Sequence, residues 1–166
     1  MALAVGVGYD SHRFGAGRRL VLGGVEVPHE RGLEGHSDAD VLTHAVIDAV
    51  LGAAGLGDLG QHFPPTDERW RDADSIDLLR TTLGMLSGRV VNADATVICE
   101  SPRLEGHRAE MERELEAALS ASVSVKATSN EGMGWIGRNE GMACIAVVLV
   151  DLVAGDAAAA AGRGAG

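Results

Sequence analysis

The chain has 166 residues, 46% apolar and only 3% aromatic, enough for one domain whose core is built from Val, Leu, Ile and Ala. Its formal charge of -10 excludes nucleic acid and anionic membrane as main partners. An acidic protein that handles phosphates must do so locally, with metal ions, backbone N–H groups and a few Arg or Lys. No apolar run approaches the ~20 residues of a membrane span. Cys99 and Cys144 sit inside apolar runs as small buried thiols. With no signal peptide, two such cysteines fit a reducing compartment, so the expected location is cytoplasmic.

Residues 2–9 (ALAVGVGY) predict a strand, with Gly6 and Gly8 permitting close backbone approach. It ends in Asp10-Ser11-His12-Arg13-Phe14, followed by a turn over 15–19. Residues 20–27 (LVLGGVEV) read as its hairpin partner, bent at Gly23-Gly24. Residues 28–35 form a loop, and its His29 reads as a surface residue. The spacing then predicts a helix that Ser37 or Asp38 caps. On it Asp40, His44 and Asp48 share one face at i, i+4, i+8, while Val41, Leu42, Ala45, Val46 and Ala49 fill the other. Gly52, Gly55 and Gly57 end it.

The Gly-, Pro- and Asp-rich stretch over 57–67 is a connector or a site-lining loop. A packing helix follows over 74–87, capped by Asp74 or Ser75. Residues 89–100 alternate as a strand, 105–119 form a charged amphipathic helix, and 123–128 form another strand. Residues 141–153 make a long apolar strand, central or covered on both sides. The fold class is therefore α+β, a mixed β-sheet with helices packed on one face, in a single domain over 1–153. Residues 154–166 are an Ala/Gly-rich tail without a folding signal. The uncovered sheet face also carries apolar residues, and a homo-oligomer that packs sheets together is the simplest way to bury it.

In an extended segment Asp10 and His12 point the same way. With His44 they offer one carboxylate and two imidazoles, a set that suits Zn²⁺ with a fourth position open, and that also suits non-haem iron. The same residues read equally as a polar strand end and a solvated helix face. Asp40 and Asp48 would orient the His44 imidazole. Further on, KATSNEGMGWIGRNEG sets Thr128, Ser129 and Asn130 at a strand end, where hydroxyls and free N–H groups can cradle phosphate. Glu131 is an oxygen ligand suited to Mg²⁺ or Mn²⁺. The stretch also reads as a glycine-rich loop with no ligand, and Trp135 as a packing or interface residue.

Four runs, GYDSHRF, LGGVEVP, GLEGHSDADVLTHAVIDAVLGAAGLGDLGQHFP and KATSNEGMGWIGRNEG, closely resemble the 2-C-methyl-D-erythritol 2,4-cyclodiphosphate synthase family. The resemblance covers essentially the whole chain to about residue 153. It implies a homotrimer with active sites between adjacent subunits, which turns 4-diphosphocytidyl-2-C-methyl-D-erythritol 2-phosphate into the cyclic diphosphate and CMP in the non-mevalonate isoprenoid pathway. It implies zinc on Asp10, His12 and His44, and a second Mg²⁺ or Mn²⁺ on Glu131. Its phosphate-contacting pair falls on His36 and Ser37, and its contacts to the methylerythritol hydroxyls on Asp58 and Gly60. Its cytidine pocket falls on Cys99, Glu100, Ser101, Pro102 and Arg103 with Ala127, Thr128 and Ser129 of the neighbouring subunit. Thr128, Ser129, Glu131 and His36 then act at the reacting phosphates. Trp135 and Arg138 match residues near an axial cavity where some members resemble isoprenoid diphosphate binders. Two positions depart from the family: Trp135 stands where phenylalanine is frequent, and Ser129 where threonine is. A metal-dependent phosphohydrolase and a non-catalytic trimeric binding protein are the alternatives that share the fold.

Overall fold

Period-two alternation runs from Ala2 to Phe14, and the first strand, β1 (Ala2–Ala16), extends well past its predicted end. The computed structural model describes residues 2–153; the tail expected over 154–166 lies outside the described residues. β1 keeps going because its ladder changes partner. Residues Ala2 to Arg13 pair antiparallel with β7 (Gly141–Leu152), and Phe14 to Ala16 pair with β4 (Arg31–Leu33). β4 lies inside the stretch predicted as loop, and three residues are too few to show a period.

Residues 20–27 are not one partner strand of β1. They divide into β2 (Leu20–Leu22) and β3 (Val25–Val27), which pair with each other as a separate hairpin. Gly23 and Gly24 both have positive φ, 59° and 75°, the requirement of a two-residue turn that matches the twist of its strands. A bend was expected there; a full reversal occurs.

Helix α1 (Val41–Ala54) is capped by Asp40, whose carboxylate accepts from the N–H groups of Leu42 and Thr43. The expected caps, Ser37 and Asp38, have other partners. Gly55 ends the helix in the left-handed region at φ 66°. The predicted division into a buried and a polar stripe also fails, since Thr43 and His44 are buried with the apolar residues. α1 lies over β1 and β7 on one side and meets α3 (Ser75–Gly84) on another. Gly6 and Gly8 allow this: a Cβ on either would collide with the carbonyl oxygen of Ala49 or Ala45 in α1.

The 57–67 stretch folds into a short α2 (Leu59–His62) capped by Asp58, with a 3₁₀ turn at Glu68–Trp70 after it. Asp74 caps α3 as expected. Then come β5 (Gly88–Ile98), α4 (Arg108–Leu119), β6 (Ser122–Thr128) and a single turn, α5 (Gly134–Gly137). The main sheet runs β4-β1-β7-β5-β6, with β5 and β6 parallel and the other pairs antiparallel. It is a mixed sheet in an α+β fold, and β7 is central as predicted. Helices cover one face. On the other, alternate β1 residues Leu3, Val5, Val7 and Tyr9 are more than half exposed, beside Ile145 and Val147 of β7.

Candidate active site

At the far end of β1, Asp10 and His12 project to the helix side, as residues two apart must, and the first turn of α1 brings His44 to meet them. Asp10 Oδ2 lies 2.8 Å from His12 Nε2 and 3.0 Å from His44 Nδ1, and the two nitrogens are 3.2 Å apart. These are the three side chains the sequence singled out, and their ligating atoms all fall within 4.8 Å of one another. Their hydrogen bonds settle which way each ring points. His12 donates from Nδ1 to the Glu34 carbonyl at 2.7 Å, so its Nε2 lone pair faces the cluster. His44 Nε2 lies 2.9 Å from Ser75 Oγ and 3.2 Å from Ser37 Oγ, with Nδ1 turned to the cluster.

Three lone-pair atoms converging on one point repel unless a cation lies between them. Ligands about 2.0–2.2 Å from a tetrahedral metal stand roughly 3.3 Å apart, close to the observed spacing. The residues therefore fit a zinc-type ion. Local electrostatics agree. Burial alone would raise the Asp10 carboxyl, yet hydrogen bonds and charge from His12 and His44 hold it well below the usual carboxylate range. Burial lowers His12, but the Asp10 hydrogen bond and charge, with the Glu34 carbonyl, more than offset it and raise the imidazole overall. The cluster favours positive charge.

Asp40 and Asp48 do not orient His44. Asp40 is turned away as the helix cap and also accepts from the N–H groups of Gly23 and Gly24, at 2.9 and 2.8 Å. Asp48 accepts from Leu59 N–H at 2.7 Å and ties the α2 loop to α1. The orienting contacts come from Ser75 and Ser37 instead. Ser75 carried no signal beyond a helix start, because its neighbour His44 is 31 residues away.

A cavity of about 180 Å³ opens over the cluster. Asp10, His12, His44, His36, Ser37 and Gly60 line it, with an apolar wall of Phe63, Trp70 and Leu78 that the sequence did not reveal. Arg18 pins the turn that carries His36 and Ser37 by donating to the carbonyls of Gly35 and Ser37. Asp58, predicted beside Gly60, caps α2 and is not on the cavity wall.

A second cavity, of about 410 Å³, lies where β5 and β6 end. It gathers Cys99, Glu100, Pro102, Arg103, Ala127, Thr128 and Ser129, while Ser101 of the same turn is not on its wall. Glu100 Oε1 joins the two loops by accepting from Asn130 N–H at 2.9 Å and Gly132 N–H at 3.2 Å. Burial, and then the Glu100 charge, push the Cys99 thiol up to about 11. Glu131 accepts from Ser129 Oγ at 2.9 Å and is exposed.

Register relates the two cavities. Asp10 pairs with Cys144, Cys144 with Val97, and Val97 with Ala127, a single row across the sheet. Three strand spacings separate the ends of that row by roughly 14 Å. In one chain the two cavities thus share an end of the sheet but not a wall. Trp135 lies apart from both, in a recess with Ser11, His12, Arg13 and Glu140, and Arg138 donates to Glu140 at 2.6 Å.

A family model described as the YgbB family matches residues 3–151. Two similar proteins are 2-C-methyl-D-erythritol 2,4-cyclodiphosphate synthases. That of Symbiobacterium thermophilum is 54% identical over 154 residues, which cover 89% of this chain and 98% of that one. That of Rubrobacter xylanophilus is 56% identical over 159 residues, covering 91% and 96%. Among solved structures, a 2-C-methyl-D-erythritol 2,4-cyclodiphosphate synthase in its CDP-bound form superposes with a TM-score of 0.81 at 33% identity, over 89% of this chain and 99% of that one. The bifunctional IspDF from Campylobacter jejuni superposes with a TM-score of 0.87 at 38% identity. It covers 92% of this chain, which spans 43% of that longer one.

Proposed function

Because the chain belongs to the YgbB family, we infer that it converts 4-diphosphocytidyl-2-C-methyl-D-erythritol 2-phosphate into 2-C-methyl-D-erythritol 2,4-cyclodiphosphate and CMP. The observation that carries the site assignment is the convergence of Asp10, His12 and His44 lone pairs beneath the His36–Ser37 turn.

The chemistry needs no strong base. A 2-phosphate oxygen, already ionised near neutral pH, forms a bond to the β-phosphorus. The bond from that phosphorus to the bridging oxygen breaks, and the oxygen leaves with CMP. Repulsion between anions and the entropy of ring closure oppose this. Asp10, His12 and His44 would hold Zn²⁺ and Glu131 a Mg²⁺ or Mn²⁺, and the two ions would supply charge neutralisation on the phosphates.

The chain's own groups supply the rest. His36 and Ser37 hold a phosphate over the cluster, with Arg18 fixing their turn. Gly60, on the wall beside the apolar residues, and Asp58, the α2 cap two residues before it, hold the methylerythritol hydroxyls. Glu100, Pro102 and Arg103, with Ala127, seat the cytidine, and Thr128 and Ser129 donate to the diphosphate as charge builds. Ser101 positions that turn from outside the wall. A homotrimer, built on the exposed β1 and β7 face, brings one chain's metal cluster to a neighbour's nucleotide cavity and closes the 14 Å gap estimated from strand spacing. Trp135 and Arg138 face the axis of that trimer, where an isoprenoid diphosphate fits an apolar channel with a cation. Among the described residues no helix is long and apolar enough to cross a membrane.

Phosphorus NMR of the protein with substrate, Zn²⁺ and Mg²⁺ tests the reaction. Loss of the free 2-phosphate signal, with coupled cyclic diphosphate signals and CMP, is the expected result. Inorganic phosphate or a linear diphosphate would mean hydrolysis instead, and no turnover by the zinc-loaded protein would mean a binding role. Geranyl or farnesyl diphosphate should raise the melting temperature if the axial channel takes an isoprenoid; no shift refutes that part.

A further inference from the structure

We propose that Ser75 is a positioning residue for the metal cluster: with Asp38 it forms a relay that keeps the proton of His44 on Nε2 and so leaves Nδ1 free to bind a cation. The proposal rests on the metal-site reading above.

The direction of each hydrogen follows from the partners. Ser75 is fully buried, and its hydroxyl donates to Asp38 Oδ1. Its backbone N–H donates to Asp38 Oδ2 at 2.9 Å, and Asp40 N–H donates to Asp38 Oδ1 at 3.1 Å. A carboxylate taking three donors accepts the serine proton and gives none back. Ser75 Oγ, its own hydrogen committed, can then only accept from His44 Nε2, 2.9 Å away. That requires the Nε2–H tautomer.

The alternative tautomer has its own attraction. Asp10 Oδ2 lies 3.0 Å from His44 Nδ1 and would accept a proton there, closing the position a metal needs. It would also leave the lone pairs of Nε2 and Ser75 Oγ facing each other between two buried side chains, an arrangement buried polar groups avoid. The relay therefore opposes Asp10. Outer partners of metal-bound histidines act in this way, and losing one typically weakens metal binding by about 10–100-fold.

Ser37 is the nearby serine that is free. Its Oγ accepts from Ala39 N–H and lies 3.2 Å from His44 Nε2, but no carboxylate holds its hydrogen. With Ser75 taking the His44 proton, the Ser37 hydroxyl keeps its own for a phosphate in the cavity it lines.

The test uses full-length wild type, Ser75→Ala and Ser75→Thr, each checked for fold by circular dichroism. Zinc affinity is measured by chelator competition. The His44 tautomer is read from ¹⁵N-histidine spectra of the zinc-free proteins at mildly alkaline pH, where free histidine is uncharged. Ser75→Ala should bind zinc about 10–100-fold more weakly and hold a smaller share of Nε2–H tautomer than wild type. Ser75→Thr, which keeps the hydroxyl, should restore both. Wild-type zinc affinity in a folded Ser75→Ala overturns the proposal. So does loss of affinity in both variants with the tautomer share unchanged, which would mean packing alone. If wild type itself binds no zinc, the metal reading fails, while the tautomer comparison still decides this proposal.

Discussion

Asp40 shows how much one side chain can hold. Its carboxylate is fully buried and accepts from Leu42, Thr43, Gly23 and Gly24 N–H and from the Thr43 hydroxyl. It thus caps α1 and fastens the β2–β3 turn to it. Asp40→Ala should lower the unfolding free energy by about 2–4 kcal/mol in urea titration, the cost of losing the α1 cap and leaving the Gly23 and Gly24 N–H groups without an acceptor; a loss below about 1 kcal/mol would refute that role. The sequence named Asp40 but gave it the wrong task, because a cap's choice depends on a hairpin 16 residues away. The convergence of Asp10, His12 and His44 was legible for the opposite reason: Asp10 and His12 share a strand face by period alone. His44→Ala should accordingly lose both zinc and activity, while Glu131→Ala loses activity and keeps zinc, measured by metal analysis and product formation. Equal zinc in wild type and His44→Ala would refute the ligand set. The cysteines were also read correctly as buried. Burial and the Glu100 charge push the Cys99 thiol to about 11, and burial pushes Cys144 upward too. The folded protein should therefore be inert to a disulfide reagent that labels both thiols in urea.

At the scale of elements, the long strands and helices were legible and the short ones were not. β1, β5, β7, α1, α3 and α4 each carry enough residues to repeat a period, whereas β2, β3 and β4 have three residues apiece. Those three exist because of distant partners: β4 has β1, and the β2–β3 turn has Asp40. Close packing of α1 on β1 also came through, as glycines where the strand should have side chains. Gly8→Ala drives a methyl into the Ala45 carbonyl, which is backbone and cannot rotate aside. The helix must move off the strand, at a cost of about 1–3 kcal/mol or more. That corresponds to roughly 2–12 °C in melting temperature for a domain of this size. Since α1 carries His44 and β1 carries Asp10 and His12, the same displacement should weaken zinc binding. A variant with unchanged melting temperature and zinc affinity would mean that the contact is not a constraint.

Across the whole molecule, the sheet has one face too many. Val5 and Val7 are 64% and 65% exposed, with Leu3 and Tyr9 beside them on β1. Water-facing valines in alternation on a long strand are an uncovered hydrophobic surface, the one the proposed homotrimer would bury. Lysine at both positions, Val5→Lys with Val7→Lys, leaves the helix-side core untouched because these residues point away from it. The double variant should keep its circular dichroism, since backbone pairing with β7 does not depend on those side chains. By light scattering the proposed trimer should give way to a mass of one chain, and an unchanged mass would refute this face as the interface. Neither position lines the cavities proposed for zinc and the cytidine nucleotide, so each ligand should still bind separately, zinc through Asp10, His12 and His44 and CDP in the Glu100–Arg103 turn. Cyclisation should nevertheless be lost, because the two half-sites of a single chain stand roughly 14 Å apart along the strand row. A monomeric variant that binds both ligands and still turns over would place the reaction inside one subunit, and would overturn the shared-site reading while leaving the family assignment intact.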